Sequence, residues 1–377
     1  MGKKTFFGIV LIFIVTLTTS AFAQSFSASD FSGNWYAYIT EVDPSEPAVY
    51  WFRGNMDVDE SGNISGTYYA PNGSSVTLSG GQLTLDQKGV VTGSFTAQGQ
   101  TSTIVHGKMD SSKTHGVSVM LGEDLSMDIA TFIKGGGTFS PQDLEGDWYV
   151  YTTVIDAIEE AVFWAYGTFS VNQGIMTGSF TAADGRVTAI TSGTLNLDNE
   201  GIIGGQFALD IPQTISIAHG KLDQSKTKGV FVSVEPTGTM AIGHLVKAGG
   251  TFKQSDGAGG WYVYGLNIYP PPTPAVLWVY GDDARVDASG NFTASFTAPT
   301  GERIGGTGTA PIDSNGVITG MFSFDTGDTG VAYLKLDQGK TSTAGVSVTT
   351  SGAMAIWQYI KAPSVALPGM PLLLLDD

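Results

Sequence analysis

The chain repeats itself with a period of about 113 residues, and that period constrains its architecture more than any other feature. Gly33-Asn34-Trp35-Tyr36 returns as Gly146-Asp147-Trp148-Tyr149 and as Gly259-Gly260-Trp261-Tyr262. Ala48-Val49-Tyr50-Trp51 returns as Ala161-Val162-Phe163-Trp164 and Ala275-Val276-Leu277-Trp278. A third landmark runs His106-Gly107-Lys108-Met109-Asp110, His219-Gly220-Lys221-Leu222-Asp223 and Tyr333-Leu334-Lys335-Leu336-Asp337. Solenoid units and propeller blades repeat every ~20–50 residues, so each copy here is long enough to be a domain with its own core. The boundaries read as 24–139, 140–252 and 253–362, with a tail over 363–377.

Within a copy the pattern is β. In copy 2, Met176, Gly178, Phe180 and Ala182 alternate with Thr177, Ser179 and Thr181. Eight such runs can be counted: 148–155, 162–172, 176–182, 189–198, 202–210, 214–223, 228–235 and 239–247. Turn sequences such as Asp184-Gly185 and Asp198-Asn199-Glu200-Gly201 separate them. Short turns join sequential strands antiparallel, and eight meandering strands remove their free edges by closing into an up-and-down barrel. The expected class is all-β: three tandem antiparallel meander domains, as eight-stranded barrels or as β-sandwiches. A single 24-stranded outer-membrane barrel fits poorly, because the outward positions are mostly Thr, Ser, Asn and Asp. A barrel of eight strands is either filled by side chains or holds one small ligand.

The Gly-x-Trp-Tyr opening, best seen in Asp30–Tyr36 and Asp143–Tyr149, resembles the first strand of calycin barrels, the lipocalins and avidins. The resemblance implies a closed barrel. It covers about seven residues per copy, and neither the later lipocalin motifs nor an avidin ligand set is present, so it implies no site residues.

The N-terminus reads as a secretory signal. Lys3 and Lys4 precede an apolar run over Phe6–Leu17, and Ala21-Phe22-Ala23 forms a cleavage site that makes residues 1–23 the signal peptide. No later stretch is long and apolar enough for a transmembrane helix. The expected compartment is the periplasm, the cell surface or the extracellular medium. The chain has no cysteine, which excludes disulfides, thiol chemistry and cysteine metal sites. Without Lys3 and Lys4, 16 basic residues face 35 acidic ones, a net charge of −19 that repels nucleic acid and anionic lipid.

No catalytic signature recurs. His106 and His219 are equivalent, but copy 3 carries Tyr333, so these histidines read as locally bonded strand residues. Metal-ligand spacings, a nucleophile elbow and a phosphate loop are missing. Asp57–Gly62 reads as a hairpin turn rather than a calcium loop. Lys108/Asp110/Lys113 and its counterparts read as a solvated turn or a cationic contact site. No cofactor or metal is expected, and no enzyme.

The first two strands of each copy are apolar on both faces, whereas the later strands read as polar on one. Trp35, Tyr38, Trp51, Trp148, Tyr151, Trp164, Trp261, Tyr264 and Trp278 are therefore the candidate residues for ligand or partner binding. Their outer face is expected to dock neighbouring copies, another chain or a target surface, or to lie under a covering loop. The joining loops at 43–47, 156–160 and 270–274 differ most between copies, and recognition could diverge there. Leu372–Leu375 reads as a docking segment. Two functions follow: a secreted or cell-surface, non-catalytic binding and structural module for adhesion or extracellular assembly, with self-association; or a carrier of small apolar ligands inside lipocalin-like barrels.

Overall fold

A computed structural model describes residues 25–43, 48–156, 161–211, 213–269 and 275–363. The signal segment, the variable loops and the leucine tail lie outside the described residues.

Each copy closes into an eight-stranded antiparallel barrel in meander order. Barrel 1 comprises β1 (Gly33–Asp43), β2 (Ala48–Val58), β3 (Ile64–Tyr69), β4 (Ser75–Leu85), β5 (Val90–Ala97), β6 (Gln100–Met109), β7 (His115–Gly122) and β8 (Met127–Lys134). β1 closes the barrel by pairing with β8 from Trp35↔Lys134 to Val42↔Met127. Barrel 2 runs from Gly146–Asp156 to Met240–Lys247, and barrel 3 from Gly259–Ile268 to Met354–Lys361. The architecture is all-β, three tandem closed meander barrels. Sandwiches and a single large barrel are excluded because each sheet closes on itself.

Local chemistry sets the hairpins. Asp59 Oδ1 accepts the backbone N–H groups of Ser61 and Asn63. Asp198 does the same for Glu200 and Ile202. These are Asx turns that fix where a strand stops, and the carboxylate of Asp59 is thereby committed to its own turn. Glycine is required where strands approach closely. At Gly205, φ is +135° and a Cβ would lie 2.1 Å from the Thr194 carbonyl oxygen. Gly205→Ala is expected to cost about 1–3 kcal/mol, measured as a lower urea midpoint at unchanged m-value.

The closed end of each barrel is built identically. Trp35, Trp148 and Trp261 are buried, and their indole N–H groups donate to Phe31 O, Leu144 O and Gly257 O at 2.7–2.8 Å. The ammoniums of Lys134, Lys247 and Lys361 sit over those rings. Phe26, Phe139 and Phe252 plug barrels 1, 2 and 3 respectively. The latter two stand at the ends of copies 1 and 2 in the boundaries read from the repeat, yet each packs into the barrel that follows.

The barrels form a closed ring, not a string. Trp51 Nε1–H donates to Ser233 O at 3.1 Å, Trp164 Nε1–H to Ser347 O at 2.9 Å, and Trp278 Nε1–H to Met120 O at 2.9 Å. Met120, Ser233 and Ser347 are equivalent residues. Barrel 1 therefore grips barrel 2, barrel 2 grips barrel 3, and barrel 3 grips barrel 1, about an approximate threefold axis.

Candidate functional site

The nine candidate residues divide into two sets. Trp35, Trp148 and Trp261 point into their barrels and belong to their cores. Tyr38, Trp51, Tyr151, Trp164, Tyr264 and Trp278 point outward and are buried between barrels. Tyr38 OH is hydrogen-bonded to His219 Nδ1 at 2.9 Å, and Tyr264 OH to His106 Nδ1 at 2.8 Å. At the third junction Tyr333 replaces the histidine and stacks on Tyr166 at 5.3 Å between centroids. The outer aromatic face thus docks neighbouring copies. The histidines bond across junctions, not locally within a strand.

The reading of the Lys-x-Asp hairpins as solvated turns is overturned. Lys108 and Asp110 are 1% and 0% exposed, and Lys221/Asp223 and Lys335/Asp337 are equally buried. Lys108 Nζ donates to the carbonyls of Lys88 and Met109 and lies 4.6 Å from the Phe26 ring. It also lies 5.1 Å from the ring of Tyr262 in barrel 3. The cation ties the N-terminal plug to both its own and the adjacent barrel. Burial pushes its ammonium pKa down to about 8. Only Lys113, Lys226 and Lys340 remain partly exposed, paired at 2.8 Å with Asp30, Asp143 and Asp256.

β7 and β8 are also buried on both faces, which corrects the expectation that only the first two strands would be. With their counterparts they line the threefold axis. His115, Lys228 and Ser342 occupy equivalent strand starts there. Lys228 Nζ donates to Asp110 Oδ2 at 2.7 Å and to Ser342 Oγ at 3.3 Å, and lies 3.6 Å from Asp337 Oδ2. Burial alone would lower the Lys228 pKa; the aspartates, Asp110 first, outweigh it and raise it. Higher on the axis a cavity of about 10 Å³, room for one water, is lined by Tyr38, Thr131, His244 and Gln358.

The lumens differ. Barrel 1 is packed by Ile39, Met120 and Phe132. Barrel 3 keeps an apolar void of about 70 Å³ beside Trp357. Barrel 2 holds an open cup of about 620 Å³. Alternate residues from all eight strands line it, among them Thr152, Ala165, Phe180, Phe207, Ile215 and Phe231, so the cup is the barrel's interior; Val348, Gly352 and Met354 of barrel 3 flank its mouth. Its cause is local. Ala165 stands where barrel 1 has Phe52 and barrel 3 Val279, and Gly243 where they have Ala130 and Trp357. Thr152 and Ser233 replace Ile39 and Met120 of barrel 1, while barrel 3, with Gly265 and Ser347 at those positions, is filled by the Trp357 ring instead. Phe180 and Phe207 stack at 5.7 Å within the cup. Asp156, Glu235 and Arg186 also line it.

No family model and no curated protein sequence matches the chain. Several solved structures are distantly similar. A transferrin binding protein B from Haemophilus parasuis is 9% identical, with a TM-score of 0.31 over 88% of this chain and 76% of that one. The protein of that name from Neisseria meningitidis is 10% identical, with a TM-score of 0.24 over 88% and 75%. A Myxococcus xanthus hemagglutinin is 12% identical, with a TM-score of 0.14 over 56% and 99%.

Among the described residues no three His, Asp or Glu side chains converge as metal ligands, and no helix is long and apolar enough to cross a membrane. The cup left a trace in the aligned copies, since Ala165 and Gly243 are both smaller than their counterparts in either sister copy. The buried axis left a fainter one, in the divergence of residues 115, 228 and 342.

Proposed function

We propose that the chain is an exported, non-catalytic binding protein in which the lumen of barrel 2 holds one small, largely apolar ligand, in the manner of a calycin barrel. Barrels 1 and 3 brace that cup. The observation that carries this reading is the volume of about 620 Å³ inside a barrel whose two sisters are largely filled; ligand sites run about 300–1,000 Å³ and are mostly apolar with a few polar groups. Export through the N-terminal signal would place the protein in the periplasm, at the cell surface or in the medium. No cofactor is required, and the acidic balance argues against nucleic acid as a partner. Adhesion or self-association through the outer aromatic faces is the weaker reading, because Tyr38, Trp51, Tyr264 and Trp278 are at most 2% exposed within one chain.

A neutral arylamine dye, N-phenyl-1-naphthylamine, tests the cup. It should bind once per chain with enhanced emission. Ala165→Phe, which restores the bulk barrel 1 carries at Phe52, should weaken binding at least tenfold without lowering the melting temperature. Absence of binding, or equal binding by the variant, would overturn the reading.

A further inference from the structure

We infer that the cup of barrel 2 selects a cationic amphiphile, an alkyl or aryl body carrying an ammonium head. The inference rests on the reading of that cup as a ligand site and names its ligand class. The apolar half follows from the lining: Phe180, Phe207 and Phe231 offer ring faces and edges to a hydrocarbon body. The cationic half follows from how charge is distributed round the mouth.

The barrel's closure order sets that distribution. Barrel 2 closes in the order of its strands, so the hairpin joining strands 175–182 and 187–197 lies diametrically across the mouth from the one joining 228–234 and 240–247. Glu235 belongs to the second hairpin. Asp156 ends the strand beside it, where Met240 pairs with Ile155, and Thr239 Oγ1 contacts Asp156 Oδ1 at 3.5 Å. One side of the mouth thus carries two carboxylates. Glu235 is half-buried, and burial together with the charge of Asp156 raises its pKa. A cation seated between the two carboxylates would offset the cost of burying Glu235 and its repulsion by Asp156. Among the described residues no Lys or Arg forms an ion pair with Glu235.

The opposite side carries Arg186, exposed and sharing its turn with Asp184, whose Oδ1 accepts the Arg186 backbone N–H at 2.9 Å. An anionic head would meet one solvated guanidinium with a carboxylate beside it, on a chain of net charge −17. An ammonium would meet two carboxylates at the edge of a low-dielectric cup, where charge pairing is screened less than at an open surface.

The test displaces bound N-phenyl-1-naphthylamine from the full chain at low salt with three ten-carbon competitors below their micelle concentrations. These are decyltrimethylammonium, decanol and decyl sulfate. The ammonium should displace the dye at a concentration at least tenfold below decanol, with the sulfate weakest, and added salt should shrink the preference. Glu235→Gln should abolish the preference and leave decanol unchanged. If decanol and the ammonium compete equally, or the sulfate competes best, the cationic claim fails and the cup stands. If none competes and Ala165→Phe still binds the dye like the parent, the cup itself falls.

Discussion

Lys228→Met should lower the melting temperature by about 5–10 °C at pH 7, the largest loss expected from any single substitution on the threefold axis. Lys228 is 6% exposed and its ammonium bonds Asp110, which is 0% exposed. Removing the cation strands a carboxylate where no water reaches it, which costs about 3–5 kcal/mol in comparable buried pairs. Asp223 and Asp337, also buried on this axis, lose the same counter-charge. Methionine keeps the volume and the stem, so the loss reports charge and not packing. The parent Asp110 is held below the usual carboxylate range, against its own burial, by Lys228, His115 and Ser112. Without Lys228 burial dominates and its folded pKa rises. A carboxyl with a raised folded pKa loses stability as pH increases, so the deficit should be larger at pH 7 than at pH 5. Adding Asp110→Asn should recover part of it. Melting curves at the two pH values check this; a variant melting within about 1 °C of the parent would show that the axial pair does not hold the ring.

How much of this was legible in the sequence depends on the range of the interaction. The strands of copy 2 lie within a few residues of the runs read from alternation, because an Asx turn or a glycine at a hairpin acts over four or five residues. Closure was legible from the meander. The role of Lys108 was not. A charged pair beside a turn reads as solvated, and it is the approach of Phe26, some 80 residues back, and Tyr262, some 150 residues ahead, that buries it. The axis shows the same difficulty and its one signal. His115, Lys228 and Ser342 differ where the repeat would place identical residues, and the geometry explains why: three ammoniums on one axis would repel, whereas one can serve several aspartates. Likewise Ala165 and Gly243 look like ordinary small strand residues until they are set beside Phe52 and Trp357.

Lowering the pH from 6.5 to 4 should destabilise the ring steadily and loosen the junctions before the barrels unfold. All four histidines of the chain lie between barrels or on the axis. Burial pushes the pKa of His115 down to about 3, and those of His219 and His244 down to about 4; that of His106 is also lowered, again by burial first. Lys228 lowers His115 further and Asp110 opposes it; Arg53 and Lys221 lower His219 while Asp198 opposes them. The sign is then fixed. Below pH 6.5 the unfolded chain takes up protons that the folded chain refuses, so stability falls with falling pH until the folded values are reached. Each buried histidine contributes up to about 1.4 kcal/mol per pH unit in that window. Glu41, raised to about 7 by burial with Asp124 and Asp43, and Asp128, raised by burial with Glu41 and Asp124, act in the opposite sense. They sit in barrel 1, where their stabilisation is present at low pH and is lost as pH rises. Scattering at pH 7 and 4.5 should show the radius of gyration increasing while far-ultraviolet circular dichroism stays β-rich. Emission from Trp51, Trp164 and Trp278 should shift red as water enters the junctions. The His219→Gln/His244→Gln double variant removes two of these titrations and should flatten the pH dependence of the melting temperature; an unchanged slope would refute the assignment. No histidine lines the cup of barrel 2, but Val348, Gly352 and Met354 of barrel 3 flank its mouth, so acid should reach the cup through the loosened junction and not through titration in the lumen.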